Sequence, residues 1–260
     1  MKIAIITGAS SGLGEKLLYE TEKRFSLDEI WIIARRKERL EALAAKCTGG
    51  AKIVPIALDL TDYSSYETLS AMLAEKKPEI FALLNNAGFG KLGNMIDMTY
   101  PEQAGMVDLN CRALTAVTTL CLPYMKKRAG GEKVSSFILN TCSIASFAPN
   151  PRMTVYCSTK AYVLSFTKSL RFELRGTGIN VCAVCPGPMA TEFLDVAGIS
   201  GGKSKTFETL PYCDPDKVAA GALKAASAGR NVYTPRAFFK FYRFLAKILP
   251  HSLVMKMSKT

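Results

Sequence analysis

Lys2-Ile3-Ala4-Ile5-Ile6-Thr7-Gly8-Ala9-Ser10-Ser11-Gly12-Leu13-Gly14 decides the fold. It opens as an apolar strand, turns through clustered glycines, and continues into a helical pattern near residues 13–24. Glycines let a backbone turn tightly and approach a phosphate. The N-terminus of the following helix offers free N–H groups and positive potential to an anion. A strand before the turn and a helix after it are the context a dinucleotide pyrophosphate requires, so Thr7, Gly8, Ser10, Ser11, Gly12, Leu13 and Gly14 are candidate cofactor contacts.

The same alternation continues along the chain. Apolar runs at 2–6, 30–34, 52–58, 80–85, 134–140, 179–185 and 231–233 read as strands. Helical patterns fall near 13–24, 37–46, 62–76, 102–128, 153–175 and 214–227. Apolar strands separated by helices predict a parallel sheet covered on both faces. The expected class is α/β, a single-domain Rossmann fold with a doubly wound sheet of about seven strands. The catalytic domain is expected over 1–235, with 236–260 as a basic amphipathic extension of it. Met189 to Pro211 reads as a long irregular loop, a kind of segment that is usually functional.

The second strand, Ile30-Trp31-Ile32-Ile33-Ala34, ends in Arg35-Arg36, where dinucleotide folds read the adenosine ribose. An acid there would select a free 2′-hydroxyl. Arg35 instead suits a 2′-phosphate and predicts NADP(H). Arg36 either shares that task or belongs to the solvated charge that opens the next helix.

Tyr156 and Lys160 stand at i and i+4, neighbours on one helical face. A nearby ammonium favours the phenolate and is expected to lower the tyrosine pKa, fitting a phenol for acid–base work. Ser143 follows the apolar run Phe137-Ile138-Leu139, which would carry its hydroxyl to the sheet edge beside a reacting oxygen. The only histidine is His251, with no acid and histidine at triad-like positions, which argues against a serine hydrolase.

Composition narrows the class further. Thirty-four lysines and arginines against 22 acids give a net charge of +12, and nine bases but no acids follow Asp216. Charge alone would allow nucleic acid as a partner, but no recognised nucleic-acid motif accompanies it, so none is expected. The N-terminal apolar run is too short for a secretion signal, and no charge-free stretch reaches spanning length, so a cytoplasmic location is expected. Eight cysteines then read as reduced thiols. Cys182 and Cys185 form a CxxC on a strand, where positions three apart face opposite sides, so no metal is expected.

Taken together, the motifs resemble the short-chain dehydrogenase/reductase family from Ile3 to about Thr191. Thr7 to Gly14 is similar to its TGxxxGxG. Asp59-Leu60 is similar to its adenine-contacting acid, and Asn85-Asn86-Ala87-Gly88 to its NNAG. Asn110, Ser143, Tyr156 and Lys160 are similar to its catalytic tetrad, and Pro186-Gly187-Pro188-Met189-Ala190-Thr191 to its PGxxxT. The resemblance implies an NADP-dependent oxidoreductase acting on a carbonyl or alcohol. It places Asp59, Leu60, Asn86, Ala87, Gly88, Pro186, Gly187, Met189 and Thr191 with Tyr156 and Lys160 at the cofactor. Tyr156 would transfer the proton, Lys160 would bind the nicotinamide ribose, Ser143 would orient the oxygen, and Asn110 would hold a relaying water. A homodimer or homotetramer is implied through the helices near 102–128 and 153–175. Cys142 and Cys157 depart from the usual small residues beside Ser143 and Tyr156. They read as small residues filling tight places; the alternative is that oxidation of either thiol perturbs the site.

Arg236, Lys240, Arg243 and Lys247 recur at spacings of four, three and four before Pro250, forming one basic stripe on a helix otherwise covered by apolar residues. That helix is a lid over a lipophilic substrate such as a steroid or 3-oxoacyl group, a packing interface, or a peripheral membrane contact through 236–249. The alternative to an enzyme is a non-catalytic dinucleotide sensor or scaffold on the same fold. Loss of Tyr156 or Lys160 would favour that alternative, and both are present.

Overall fold

The computed structural model describes residues 1–125, 134–199 and 205–257. One parallel sheet contains β1 (Lys2–Thr7), β2 (Glu29–Ala34), β3 (Lys52–Ala57), β4 (Glu79–Asn85), β5 (Ser136–Thr141), β6 (Ile179–Val184) and β7 (Val232–Tyr233). Its order is β3-β2-β1-β4-β5-β6-β7. The helices are α1 (Gly12–Arg24), α2 (Lys37–Lys46), α3 (Ser64–Lys76), α4 (Tyr100–Val107), α5 (Leu114–Cys121), α6 (Thr154–Glu173), α7 (Glu192–Val196), α8 (Lys205–Thr209), α9 (Pro215–Ser227), α10 (Ala237–Ile248) and α11 (His251–Met257). This is the doubly wound α/β architecture expected.

Successive strand residues point to opposite faces, and both faces are buried. Ala4, Ile6, Ile30, Ile32 and Leu84 pack with residues of α1, α2 and α9. Ile3, Ile5, Trp31, Ile33 and Leu83 pack with α3 and α5. The buried Trp31 indole donates to Glu29 Oε2 at 2.7 Å. Cys182 and Cys185 fall in different packed clusters and are free thiols, as period-two geometry requires.

Two expectations change. The helical stretch 102–128 is divided: α4 leads into a π-helical turn, Asp108–Ala113, before α5 resumes and a 3₁₀ turn closes at Tyr124. Apolar periodicity does not register this wider turn, which carries Asn110. Residues 126–128 lie outside the described residues. Met189 to Pro211 is not irregular throughout, since α7 and α8 form within it. Each has five residues, too short for a periodic signal. Gly201 and Gly202 of that stretch, and Lys259 of the C-terminal extension, lie outside the described residues.

The strand order reverses direction at β1 and β4, where a crevice opens beyond the strands' C-terminal ends. Thr7 ends β1 there, and its hydroxyl accepts hydrogen bonds from the amides of Asn86 and Ala87, both at 3.0 Å. The side chain of Asn86 donates to Gly8 O at 3.2 Å and accepts from Thr141 Oγ1 at 3.1 Å. The turns after β1, β4 and β5 are thereby tied together under the crevice.

Candidate active site

A cleft of about 720 Å³ follows this crevice. At one end lies the glycine-rich turn. Gly8 has φ +67°, and a Cβ there would sit 2.7 Å from Ala87 Cα, so glycine alone fits the close approach. Ser11 is the N-cap of α1 but makes no side-chain cap bond, so the helix opens toward the cleft without an internal cap. Arg35 is exposed and borders the cleft. Asp59, just beyond β3, accepts from the Thr61 amide and hydroxyl through Oδ1 only.

Arg36 is not solvated helix charge. Its guanidinium donates to Ser10 Oγ at 3.0 Å, to Ser11 Oγ at 3.1 Å, and to both carboxylate oxygens of Glu192 at 2.7 and 3.0 Å. Arg39 adds a second cation at 3.1 Å from Glu192. These partners, with the Arg36 bond first, hold the Glu192 carboxyl down at about 2. Sequence reasoning missed Glu192. The only local signal was an acid directly after Thr191.

At the other end, Ser143 follows β5 and its Oγ accepts from the Ala145 amide at 3.1 Å. α6 carries Tyr156 and Lys160, which are 7% and 5% exposed. The Ser143 side chain acts on the Tyr156 phenol in the direction that favours its ionised form. Lys160 Nζ lies 5.8 Å from the Tyr156 ring centre and donates to Thr141 O at 2.8 Å. The expected lowering of the tyrosine pKa does not occur in the protein by itself. Burial raises it, and the Ser143 side chain lowers it only in part. Burial likewise lowers the Lys160 pKa. An ammonium turned to a backbone carbonyl stabilises a phenolate less than the one-turn spacing suggests.

Three expected site residues stand behind the cleft wall. Thr7 braces the Asn86–Ala87 turn. Gly14 lets α1 pack against the Gly8 carbonyl. Asn110 is 1% exposed, accepts from the Phe89 amide at 3.0 Å, and donates to Phe89 O at 2.9 Å and Thr159 Oγ1 at 3.0 Å. Both of its amide hydrogens are engaged in bracing the strip beside Gly88. The remaining candidates, Gly8, Ser10, Ser11, Gly12, Leu13, Arg35, Arg36, Asp59, Leu60, Asn86, Ala87, Gly88, Ser143, Tyr156, Lys160, Pro186, Gly187, Met189 and Thr191, all line the cleft.

The buried Cys142 Sγ donates to Lys160 O at 3.1 Å; burial pushes its thiol up, while Cys185, Ser146 and the nearby Lys160 ammonium outweigh that and lower it. Around Tyr156 the packing is apolar, from Phe89, Met153, Phe193, Leu194 and Phe207, and the same cleft is lined further by Tyr242, Leu245, Leu249 and Val254, from segments far apart in sequence. α10 and α11 therefore border the cleft. Among the described residues, no group of three or more His, Cys, Asp or Glu is placed to hold a metal. No helix among them is long and apolar enough to cross a membrane.

The cleft suits a dinucleotide: an uncapped helix start, a glycine cradle, guanidinium groups at the ribose end and a free carboxylate oxygen on Asp59. A short chain dehydrogenase family model matches residues 2–198. An NADP-dependent 3-hydroxy acid dehydrogenase of Schizosaccharomyces pombe is 32% identical over 238 residues, covering 89% of each chain. A short-chain dehydrogenase from Sphingobium yanoikuyae, solved with NADPH, superposes with a TM-score of 0.79 at 28% identity over 96% of this chain and 97% of its own. A 3-ketoacyl-(acyl-carrier-protein) reductase from Brucella melitensis, solved with NADH, gives 0.76 at 26% over 90% and 96%. A bulky-bulky ketone specific alcohol dehydrogenase from Comamonas testosteroni gives 0.76 at 26% over 100% and 95%. The strand order, the cleft at its switch point and these likenesses agree: this chain belongs to the short chain dehydrogenase family of dinucleotide-dependent oxidoreductases.

Proposed function

We propose that this protein is an NADPH-dependent carbonyl reductase acting on a lipophilic ketone, aldehyde or 3-oxoacyl group, in which Tyr156 is the proton donor. The observation that carries the reading is that Ser143, Tyr156 and Lys160 line one cleft, with Lys160 Nζ 5.8 Å from the Tyr156 ring centre.

The bound cofactor would supply hydride at its nicotinamide, and the protein would supply position and the proton. Gly8, Ser10, Ser11, Gly12 and Leu13 would hold the pyrophosphate at the start of α1. Asp59 and Leu60 would meet the adenine. Asn86, Ala87, Gly88, Pro186, Gly187, Met189 and Thr191 would flank the nicotinamide half. Ser143 would orient the carbonyl oxygen, and Tyr156, kept neutral by burial, would hold the proton at its phenol oxygen. Lys160 would fix the ribose, and Asn110 would keep the Phe89 strip and α6 in register. NADPH over NADH rests on Arg35, which stands where an NAD enzyme has an acid.

The walls over Tyr156 support a bulky apolar substrate. Exposed Val107, Tyr162 and Phe172, on α4 and α6, support a homodimer or homotetramer through those helices. The test is NADPH consumption across ketones, acyl thioesters and small polar aldehydes. Turnover highest with bulky apolar carbonyls and abolished by Tyr156→Phe is expected. Turnover unchanged in that variant would overturn the mechanism, and a preference for small polar aldehydes would overturn the substrate class.

A further inference from the structure

We propose that the outer face of α10 docks this protein on an anionic lipid bilayer. Residues on an α-helix advance by about 100° each, which sorts α10 and its leading Arg236 into three stripes. One stripe faces inward: Phe239 and Ala246 are buried, and Tyr242, Leu245 and Leu249 line the cleft. A second stripe is basic: Arg236, Lys240, Arg243 and Lys247. The third is apolar and faces outward: Phe241, Phe244 and Ile248 are 61%, 58% and 61% exposed.

An exposed apolar stripe costs free energy in water, and three large side chains in one row are not scattered surface residues. Its neighbour identifies the occupant. None of the four bases in the second stripe forms a salt bridge among the described residues. On α11, Leu253 and Lys256 continue both characters beyond Pro250. A surface with apolar and basic rows side by side matches a bilayer interface, which offers hydrocarbon for the rings and lipid phosphate for the cations. A polyanion without exposed rings, such as duplex nucleic acid, would engage the basic row alone. A second copy of this chain would bring the same uncompensated cations together.

The inward stripe gives the contact a consequence. The helix that meets lipid outside also walls the apolar cleft, so a membrane-dissolved substrate would reach Tyr156 alongside α10. This consequence rests on the proposed function. The docking does not.

The experiment is co-sedimentation of the full chain with vesicles of phosphatidylcholine, with and without phosphatidylglycerol. Two multiple variants accompany it: Phe241→Ser with Phe244→Ser and Ile248→Ser, and Lys240→Glu with Lys247→Glu. None of these five residues lines the cleft above Tyr156. Thermal melts and NADPH oxidation of a soluble ketone without vesicles check that each variant is folded, and they read the active site separately. Binding to anionic vesicles, weak binding to neutral ones, and a loss of about tenfold or more in both variants is the expected result. Wild-type protein left in the supernatant with anionic vesicles would overturn the proposal. Loss in the lysine variant alone would mean simple polyanion binding and also overturn it. A fall in particle mass by light scattering in the serine variant, with no wild-type sedimentation, would assign the face to self-association instead.

Discussion

Arg36 and Glu192, 156 positions apart, form a two-pronged ion pair at 2.7 and 3.0 Å, while the same guanidinium reaches Ser10 and Ser11. The pair fastens α7 to the glycine-rich turn and closes one side of the cleft. Glu192 is depressed to about 2 from an ordinary carboxylate value near 4.5. A depressed carboxylate stabilises the fold above its unfolded pKa and loses that contribution as pH falls through its folded value. Glu192→Gln should therefore lower stability at neutral pH by at most about 1 kcal/mol, because the pair is partly solvent-screened. The gap between variant and wild type in thermal melts should close between about pH 4.5 and pH 2. A gap independent of pH across that window would show that the pair contributes no linked stability.

Arg35 and Arg36 leave β2 together, yet of the two only Arg35 has a guanidinium without a hydrogen-bond or ion-pair partner among the described residues. Arg35→Ala should reduce the ratio of kcat/KM for NADPH over NADH by about tenfold or more, since one charge-assisted phosphate contact is worth roughly 1.5–3 kcal/mol. Steady-state kinetics with both cofactors checks this. An unchanged ratio would remove Arg35 from cofactor selection.

Burial raises the Tyr156 pKa above its ordinary value of 10 in the protein by itself. Its phenol should stay protonated from neutral pH up to that value. In alkaline titration of the cofactor-free protein, wild type and Tyr156→Phe should give the same phenolate absorbance below about pH 10. The extra phenolate of the wild type should emerge only above that. A difference near neutral pH would mean that Lys160 governs the phenol after all.

Phe239 is fully buried in the core on the α9 face of the sheet, and a Cβ on Gly187 would collide with its ring. This contact ties α10 to the PGxxxT turn. Phe239→Ala should cost about 3–5 kcal/mol in denaturant unfolding. Gly187→Ala should cost about 1–3 kcal/mol through overpacking. If Phe239→Ala were near neutral, the C-terminal helix would not be part of the folded core.

Much of the molecule was legible before folding. The continuous apolar runs and the strand–glycine–helix transition at Thr7 are local facts, and they placed all seven strands within a residue or two. The glycine-rich end of the cleft was legible for the same reason, since the backbone shape of such a turn is written in consecutive residues such as Gly8 to Gly14. The π-helical turn at Asn110 was not legible, because nothing in its composition distinguishes it from the α-helices on either side. The short helices α7, α8 and α11 were hidden by length.

Sequence alone determined the α/β class, the glycine cradle, the arginines at the end of β2 and the pairing of Tyr156 with Lys160, because each depends on neighbours within a turn or a strand. Tertiary structure alone decided that Arg36 meets Glu192, that Lys160 turns to Thr141 O, that burial raises the Tyr156 pKa, and that α10 walls the cleft. Those outcomes depend on which distant segments share space and exclude water, and spacing along the chain carries no record of either.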